Sequence, residues 1–223
     1  MMRKPAQDSQ SYDFDAIVVG SGISGGWAAK ELTEKGLKVL IVERGKMLRH
    51  GQDYKTEHQA PWDKPFGGKP LRELYAQDYP VQSQNLVFNE STRQYFINDR
   101  ENPYQQEKPF VWTRADVLGG KSLLWSRQVY RWSDLDFEAN KKDGHGIDWP
   151  IRYNDIKDWY SHVESFAGVS GEALGLPHLP DGVFQKPMEL NAVEKSFKAS
   201  IESNYENRYV TIGRAAVQTE AKN

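Results

Sequence analysis

The stretch Asp15-Ala-Ile-Val-Val-Gly20-Ser-Gly22-Ile-Ser-Gly25 sets three glycines directly after a short apolar run. Their spacing is the Gly-x-Gly-x-x-Gly pattern of dinucleotide-binding turns, in which each glycine has a separate mechanical role. Gly20 permits the tight turn, Gly22 lets a pyrophosphate approach the backbone, and Gly25 lets the following helix lie close to the strand. The stretch therefore predicts a Rossmann-like α/β fold.

The residues around the glycines supply the secondary structure that this pattern needs. Ala16 to Val19 and Val39 to Val42 are short, all-apolar runs, as expected of parallel strands that are buried on both faces. Ile23 to Lys35 predicts a helix between them, and Gly36 suits the left-handed residue that often ends a helix. A glycine turn without a ligand is the alternative, but the complete strand–helix–strand context favours a nucleotide site.

Glu43 stands at the end of the second predicted strand, 23 residues after Gly20. A carboxylate at this place accepts hydrogen bonds from the ribose hydroxyls of an adenosine, while the helix N-terminus offers its amides to the phosphates. The same carboxylate would repel a 2'-phosphate. The sequence therefore disfavours NADP.

Composition narrows the class of protein. The chain has 223 residues, of which 38% are hydrophobic and 27% charged, enough for one substantial core or two small ones. A net charge of -2 gives no basic surplus, so nucleic acid is not an expected partner. The absence of cysteine excludes disulfides, thiolate metal sites and a cysteine nucleophile within this stretch. Because no signal-peptide core or membrane span is visible, we expect a cytoplasmic location.

A second glycine cluster lies in Val117-Leu-Gly119-Gly120-Lys121-Ser122-Leu-Leu-Trp125. Two adjacent glycines before a hydroxyl allow backbone amides to approach an anionic or carbonyl-bearing ligand. A purely structural turn is the other interpretation of this cluster.

The remaining sequence predicts structural elements. Asn154 is a candidate cap for an amphipathic helix that Gly168 closes, and Asn191 with Glu194 forms a capping-box pattern for another helix. Arg208 to Ile212 predicts a strand. Asp134 and Asp136 are expected to cap or brace a turn, and a structural role is also favoured for each of the five histidines: His50, His58, His145, His162 and His178.

Together these motifs resemble the glucose-methanol-choline (GMC) oxidoreductases, flavoenzymes that oxidise alcohol groups with FAD, and most closely their bacterial sugar-oxidising branch. The resemblance rests on the two glycine clusters, on Glu43-Arg44-Gly45, and on the later blocks Arg131-Trp132-Ser-Asp-Leu-Asp136-Phe137 and Trp149-Pro150-Ile-Arg-Tyr153. It implies an FAD-binding domain, with a pyrophosphate at the first cluster, the ribose at Glu43 and the flavin along the second cluster. The candidate cofactor-binding residues are Gly20, Ser21, Gly22, Ser24, Gly25, Glu43, Arg44, Gly119, Gly120, Ser122 and Trp125.

The resemblance also implies a domain organisation. Residues 46–108 are rich in proline, glycine and aromatics without clear periodicity, and we interpret them as an insertion over the nucleotide domain, with a partly disordered loop as the alternative. Eight aromatic residues are the expected anchors of the insertion: Trp62, Phe66, Tyr75, Tyr79, Phe88, Tyr95, Phe96 and Tyr104. The prediction is a disordered N-terminus at 1–11, an incomplete FAD-binding domain made of 12–45, 109–137 and 205–223, and lid or substrate-side segments at 46–108 and 138–204.

Individual positions qualify the resemblance. Arg44 could hydrogen-bond around the adenine or form a surface ion pair, and Trp125 could shape the pocket wall or be core. Leu124 stands where the pyranose oxidases carry the histidine that bonds covalently to the flavin, so non-covalent FAD is expected. No residue matches the family's C-terminal catalytic histidine, so we assign no catalytic residue and expect the C-terminal catalytic part to be absent from this chain.

The function implied by the resemblance is oxidation of a CH–OH group, in a sugar or polyol, with hydride transfer to flavin N5 and a base supplied from outside this stretch. The electron acceptor could be oxygen, a quinone or a cytochrome subunit. A catalytically incomplete FAD-binding fragment is the alternative, and an NAD-dependent dehydrogenase is a third hypothesis, weakened by the second glycine cluster.

Overall fold

The predicted strand–helix–strand unit forms at the start of the described chain. The computed structural model describes residues 12–54, 56–69 and 71–221, so the N-terminal segment predicted to be disordered lies outside the described residues. Strand β1 (Ala16–Val19) leads into helix α1 (Ile23–Glu34) and then strand β2 (Val39–Val42). The strands are parallel, with Ala16 opposite Val39, which the helical crossover between them permits. These element predictions are confirmed, with α1 ending one residue earlier than predicted.

The expectation that both faces of this sheet are buried is wrong. Ile17 and Val19 lie on one face of β1 and are 64% and 84% exposed. The opposite face carries Val18, which lies against the start of α1, and Ala29 of α1 is buried. Within the described residues the sheet has two strands, and a parallel strand is enclosed on both faces only where other elements cover both.

Residues 46–108 fold into short turns around an aromatic cluster. Helix α2 (Arg72–Tyr75) is accompanied by 3₁₀ turns at Pro61–Asp63, Gln82–Gln84 and Arg93–Tyr95 and by a tight turn at Pro65–Gly68 in which Phe66 and Gly67 have left-handed backbones. Phe88 is buried and contacts the rings of Tyr75, Tyr79 and Phe96 at centroid distances of 5.1 to 5.6 Å. Four of the predicted aromatic anchors thus pack against one another within this segment, and its assignment as an insertion over the nucleotide domain stays a prediction.

The prediction that Trp62 and Phe66 are anchors is wrong. Trp62 is 81% exposed and Phe66 is 59% exposed. Trp62 stands on a 3₁₀ turn and Phe66 on a tight turn with a left-handed backbone, and the backbone hydrogen bonds of both are local, such as that from the Asp63 amide to the Ala60 carbonyl. Such turns satisfy their backbone without packing against the core, so aromatic character alone does not determine burial there.

A buried glutamine fixes the chain that leads into the second glycine cluster. Gln82 is fully buried; its amide nitrogen donates to Asp99 Oδ1 at 2.8 Å and to the Trp112 carbonyl at 3.0 Å. Its Oε1 accepts from the Arg114 amide at 2.8 Å. Because a buried amide must have partners, Gln82 holds the backbone at 112–114 in one place.

The chain divides into two compact units after Trp125. The second unit contains α3 (Asp134–Phe137), α4 (Ala139–Asp143), α5 (Tyr153–Ala167) and α6 (Ala192–Asn204). The assignment of 109–137 and 205–223 to a single FAD-binding domain stays a prediction.

Helix ends in the second unit mostly follow the sequence prediction. Asn191 caps α6 by accepting from the Val193 and Glu194 amides, and Glu194 closes the capping box. Gly168 ends α5 in the left-handed conformation, as predicted. The predicted cap at Asn154 is wrong, since α5 begins at Tyr153 and the Tyr153 amide donates to Asp134 Oδ1 at 2.7 Å.

The strand predicted at Arg208 to Ile212 is also wrong. Residues 208–212 form no regular element, and the nearest bridges are single ones further along, of Ala215 with Gln128 and Ser170. A run of strand-forming residues becomes a strand only when a partner strand continues the hydrogen-bonded ladder, which does not happen at this place.

The block that begins at Arg131 is a buried structural centre. The Arg131 guanidinium donates from Nε to Glu164 Oε1 at 2.8 Å and from Nη2 to Glu164 Oε2 at 2.6 Å, and also reaches the Tyr153 and Ser161 hydroxyls. Both members of the pair are at least 94% buried. The carboxylate raises the pKa of Arg131, and it also accepts from the Val183 amide.

The later block at Trp149 packs against the same region. The rings of Trp132, Phe137 and Trp149 form an edge-to-face cluster with centroid distances of 5.8 to 6.2 Å. Asp136 closes a capping box with Ser133 at the start of α3. Asp136 thus caps α3 and Asp134 accepts from the first amide of α5, so both aspartates cap or brace a turn, as predicted.

We expect Glu164→Gln to lower the free energy of unfolding of the second unit by about 3–5 kcal/mol, because it leaves the buried charge of Arg131 unpaired. Glu189→Gln is the matched control, since the Glu189 side chain is 77% exposed and surface changes cost less than about 0.5 kcal/mol. Urea unfolding followed by tryptophan fluorescence measures both. Equal midpoints for the two variants would contradict the buried-pair account.

Adjacent glycines in α1 give a second test. A Cβ atom at Gly25 would lie 1.9 Å from the Gly20 carbonyl oxygen, whereas one at Gly26 would lie 3.6 Å from the Ser21 oxygen. We expect Gly25→Ala to destabilise the protein by about 1–3 kcal/mol or more, as in other overpacked sites. Gly26→Ala should be neutral or stabilising by up to about 1 kcal/mol, because alanine favours a helix interior. Thermal unfolding by circular dichroism separates the two, and a tolerated Gly25→Ala would refute the close approach.

Candidate functional site

The first glycine turn presents an uncapped helix end. Gly22 precedes the first turn of α1, and neither a side-chain cap nor an acidic residue occupies that turn. Cβ positions on Gly20 and Gly22 would meet nothing within 4 Å, so the outer side of the turn is open. The free amides and the positive end of the helix dipole can therefore receive an anion.

Glu43 lies next to this turn and is held by three donors. Its Oε2 accepts from the Ser21 amide at 2.7 Å and from the Ser21 hydroxyl at 2.5 Å, and its Oε1 accepts from the Gly45 amide at 2.6 Å. These bonds, with the Ser21 hydroxyl contributing most, lower the pKa of Glu43 from 4.5 to about 2. Glu43 is therefore a carboxylate at neutral pH.

The second glycine cluster adjoins the first. Gly119 and Gly120 have φ angles of +92° and +57°, a backbone that side-chain-bearing residues rarely adopt, and a 3₁₀ turn follows over Gly120–Leu123. The Gly119 amide donates to the Ser21 hydroxyl oxygen at 2.8 Å. A Cβ atom at Gly120 would lie 3.5 Å from the Gly22 Cα. The fold thus joins the two clusters around Ser21 and Glu43.

The other predicted site residues take no part in the hydrogen bonds that join Ser21, Glu43 and Gly119. The Ser122 hydroxyl donates to the Gly119 carbonyl at 2.6 Å and closes its own turn. Ser24 lies exposed in the first turn of α1, and Trp125 is 41% exposed. Arg44 forms an exposed ion pair with Asp116 at 3.5 Å. Their roles toward a cofactor stay predictions.

A cavity of about 320 Å³ lies beside Arg44 and Gly120. Trp112, Arg114 and Lys121 also line it, and the Arg114 guanidinium stacks over the Trp112 ring at 5.2 Å. The sequence does not single out Trp112 or Arg114, because nothing in their spacing relates them to Arg44. Only the fold places them beside the two glycine clusters.

The strand–helix–strand unit with its open glycine turn defines a Rossmann-like dinucleotide-binding fold. In agreement, the family model described as "NAD(P)-binding Rossmann-like domain" matches residues 18–75.

Comparison with curated proteins gives more specific similarities. The chain is 26% identical over 185 residues to a 2-methyl-1,2-propanediol dehydrogenase of Mycolicibacterium austroafricanum, covering 78% of the chain and 28% of the relative. It is 28% identical over 173 residues to the gluconate 2-dehydrogenase flavoprotein of Pantoea cypripedii, covering 71% and 26%. It is 22% identical over 165 residues to the fructose dehydrogenase large subunit of Gluconobacter japonicus, covering 73% and 28%.

Over most of its length the chain is thus similar to dehydrogenases of the GMC type, which confirms the resemblance and the fold class expected from the sequence. The chain spans about a quarter of the length of these curated relatives.

Two further properties concern the described residues alone. Within them, every helix is too short or too polar to cross a bilayer. No three histidine, aspartate or glutamate side chains in that part of the chain converge into a cluster that could hold a metal ion.

The lowered pKa of Glu43 predicts a pH dependence of stability. Because the folded state favours the ionised form, this stabilisation is complete above pH 4.5 and is lost as the pH falls toward about 2. The melting temperature of the wild type should therefore fall more steeply over this range than that of Glu43→Gln. The exposed Glu107→Gln variant is the control and should follow the wild type. Parallel curves for wild type and Glu43→Gln would contradict the bonding described.

Proposed function

We propose that this chain forms the FAD-binding part of an oxidoreductase that acts on CH–OH groups. The observation that carries the proposal is the junction of the two glycine clusters at Glu43, through the hydrogen bonds of Ser21 to Glu43 and of the Gly119 amide to Ser21. A site for a nicotinamide dinucleotide has no need for a second glycine cluster at this position, whereas a flavin dinucleotide would lie along it.

The residues present fit the successive parts of FAD. The open turn at Gly22 and the uncapped end of α1 suit the pyrophosphate, since free amides and the helix dipole favour negative charge. The ionised Glu43 suits ribose hydroxyls, which donate to a carboxylate. The absence of side chains at Gly119 and Gly120 leaves room for a ring system close to the backbone.

Leu124 supports a non-covalent site. Its hydrocarbon side chain has no atom that could bond to a flavin, in contrast to the histidine of the pyranose oxidases. FAD bound here would be held by hydrogen bonds, charge and packing, and it should be released when the protein is denatured.

The proposed chemistry follows the relatives. Their names include dehydrogenases of a diol, of gluconate and of fructose, which suggests a sugar or polyol substrate for this protein. When bound, FAD would supply the acceptor for the hydride of the oxidised carbon. The residues of this chain would bind and orient the cofactor, and Glu43 would hold its adenosine end. The names "flavoprotein" and "large subunit" support an electron-acceptor subunit as a partner.

Flavin binding tests the proposal. The purified protein is titrated with FAD, NAD⁺ and NADP⁺, desalted, and examined by absorption spectroscopy before and after acid precipitation. We expect FAD to be retained and then to pass wholly into the acid supernatant. Retention of NAD⁺ without FAD would instead support a nicotinamide-dependent dehydrogenase, and flavin in the precipitate would refute the non-covalent site.

Glu43→Gln provides the matched variant. A hydrogen bond to a charged group is worth about 1.5–3 kcal/mol, so its loss should weaken FAD binding roughly 10- to 100-fold. Glu107→Gln should leave the affinity unchanged. Unaltered FAD affinity in a folded Glu43→Gln variant would show that Glu43 does not hold the ribose.

A further inference from the structure

Ser21 occupies the junction between the two halves of the site. Its hydroxyl donates to Glu43 Oε2 and accepts from the Gly119 amide at 2.8 Å, while its backbone amide donates to the same carboxylate oxygen. A serine hydroxyl has one proton and two lone pairs, so the two side-chain bonds coexist without competition. One side chain thereby connects the turn after β1, the end of β2 and a segment 98 residues further along.

Backbone contacts hold the chain just after Glu43 against the segment that leads to Gly119. A Cβ atom at Gly45 would lie 2.5 Å from the Val117 amide nitrogen, so the chain just after Glu43 packs directly on the chain that leads to Gly119. Lys46 forms a parallel bridge with Val117, supported by the bond from the Leu118 amide to the Lys46 carbonyl at 2.9 Å. The Gly119 turn is therefore held on one side by this bridge and on the other by Ser21.

We infer that Ser21 is a positioning residue of the proposed FAD site, whose hydroxyl fixes the Gly119–Gly120 turn relative to Glu43. The inference rests on the proposed function in that Glu43 takes the ribose and the glycine turn takes the flavin. A single hydroxyl then sets the distance between the two ends of the cofactor. Without it, the Gly119 amide and the Glu43 carboxylate each lose a partner, and the direct side-chain link between the turn and Glu43 is lost.

Loss of the Ser21 hydroxyl should change two other groups, the Glu43 carboxylate and the Gly119 amide. Removal of the hydroxyl should raise the pKa of Glu43, since this bond contributes most to its lowering. It should also accelerate hydrogen exchange at the Gly119 amide. Neither effect requires bound cofactor.

Ser21→Ala is the test variant, Ser21→Thr retains the hydroxyl, and Ser203→Ala on the exposed side of α6 is the control. Carbon-13 NMR of the side-chain carboxyl groups, with the Glu43 signal assigned by its absence in Glu43→Gln, gives the pKa. Amide exchange of Gly119 and the dissociation constant for FAD are measured on the same proteins. For Ser21→Ala we expect a higher Glu43 pKa, faster exchange at Gly119 and FAD binding weakened roughly 10- to 100-fold.

The results of these measurements distinguish a failure of the positioning role of Ser21 from a failure of the proposed FAD site. Restoration of wild-type behaviour by Ser21→Thr, with an unchanged Ser203→Ala control, would support a role for the hydroxyl itself. Wild-type exchange at Gly119 and an unchanged Glu43 pKa in Ser21→Ala would overturn the positioning role. Intact coupling in the apoprotein with no FAD bound by the wild type would overturn the proposed function instead.

Discussion

The Glu43 carboxylate is the group on which the geometry of the first unit's site depends. It stands at the end of β2 and accepts three hydrogen bonds, two from Ser21 in the glycine turn and one from the Gly45 amide. Charge-assisted bonds of this kind are roughly twice as strong as neutral ones. The carboxylate therefore fixes the turn after β1 by contacts within the protein, and through Ser21 it also fixes the second glycine cluster.

Contacts within the protein hold the parts of this candidate site in place. Gly119 and Gly120 adopt left-handed backbone angles that cost little for glycine and would be strained for other residues. Their position is set by the Ser21 bond, by the Lys46–Val117 bridge and, further back, by Gln82 at the segment before them. A site whose parts are already in place loses less conformational entropy when it takes a ligand.

In the second unit, residues from the blocks that resemble the GMC oxidoreductases form a buried network. Arg131 and Tyr153 come from the two later blocks that resemble the GMC oxidoreductases, yet both belong to one buried network around Glu164. A paired buried charge contributes little net stability, but removal of one partner is costly. Arg131 and Tyr153 therefore have a structural role in this protein, in contrast to Gly20 and Gly22, where the outer side of the turn is open.

Local sequence determined the strand–helix–strand unit, the capping box at Asn191 and the glycine turn, because each depends on contacts within a few residues or on one short crossover. It also identified both glycine clusters and Glu43 as candidates. It failed at Trp62, at Ile17 and at the strand expected near Tyr209, since burial and strand pairing depend on what the rest of the chain supplies. The link from Glu43 through Ser21 to Gly119 was decided by tertiary structure alone, because a hydrogen bond between residues 98 positions apart leaves no periodicity in the sequence.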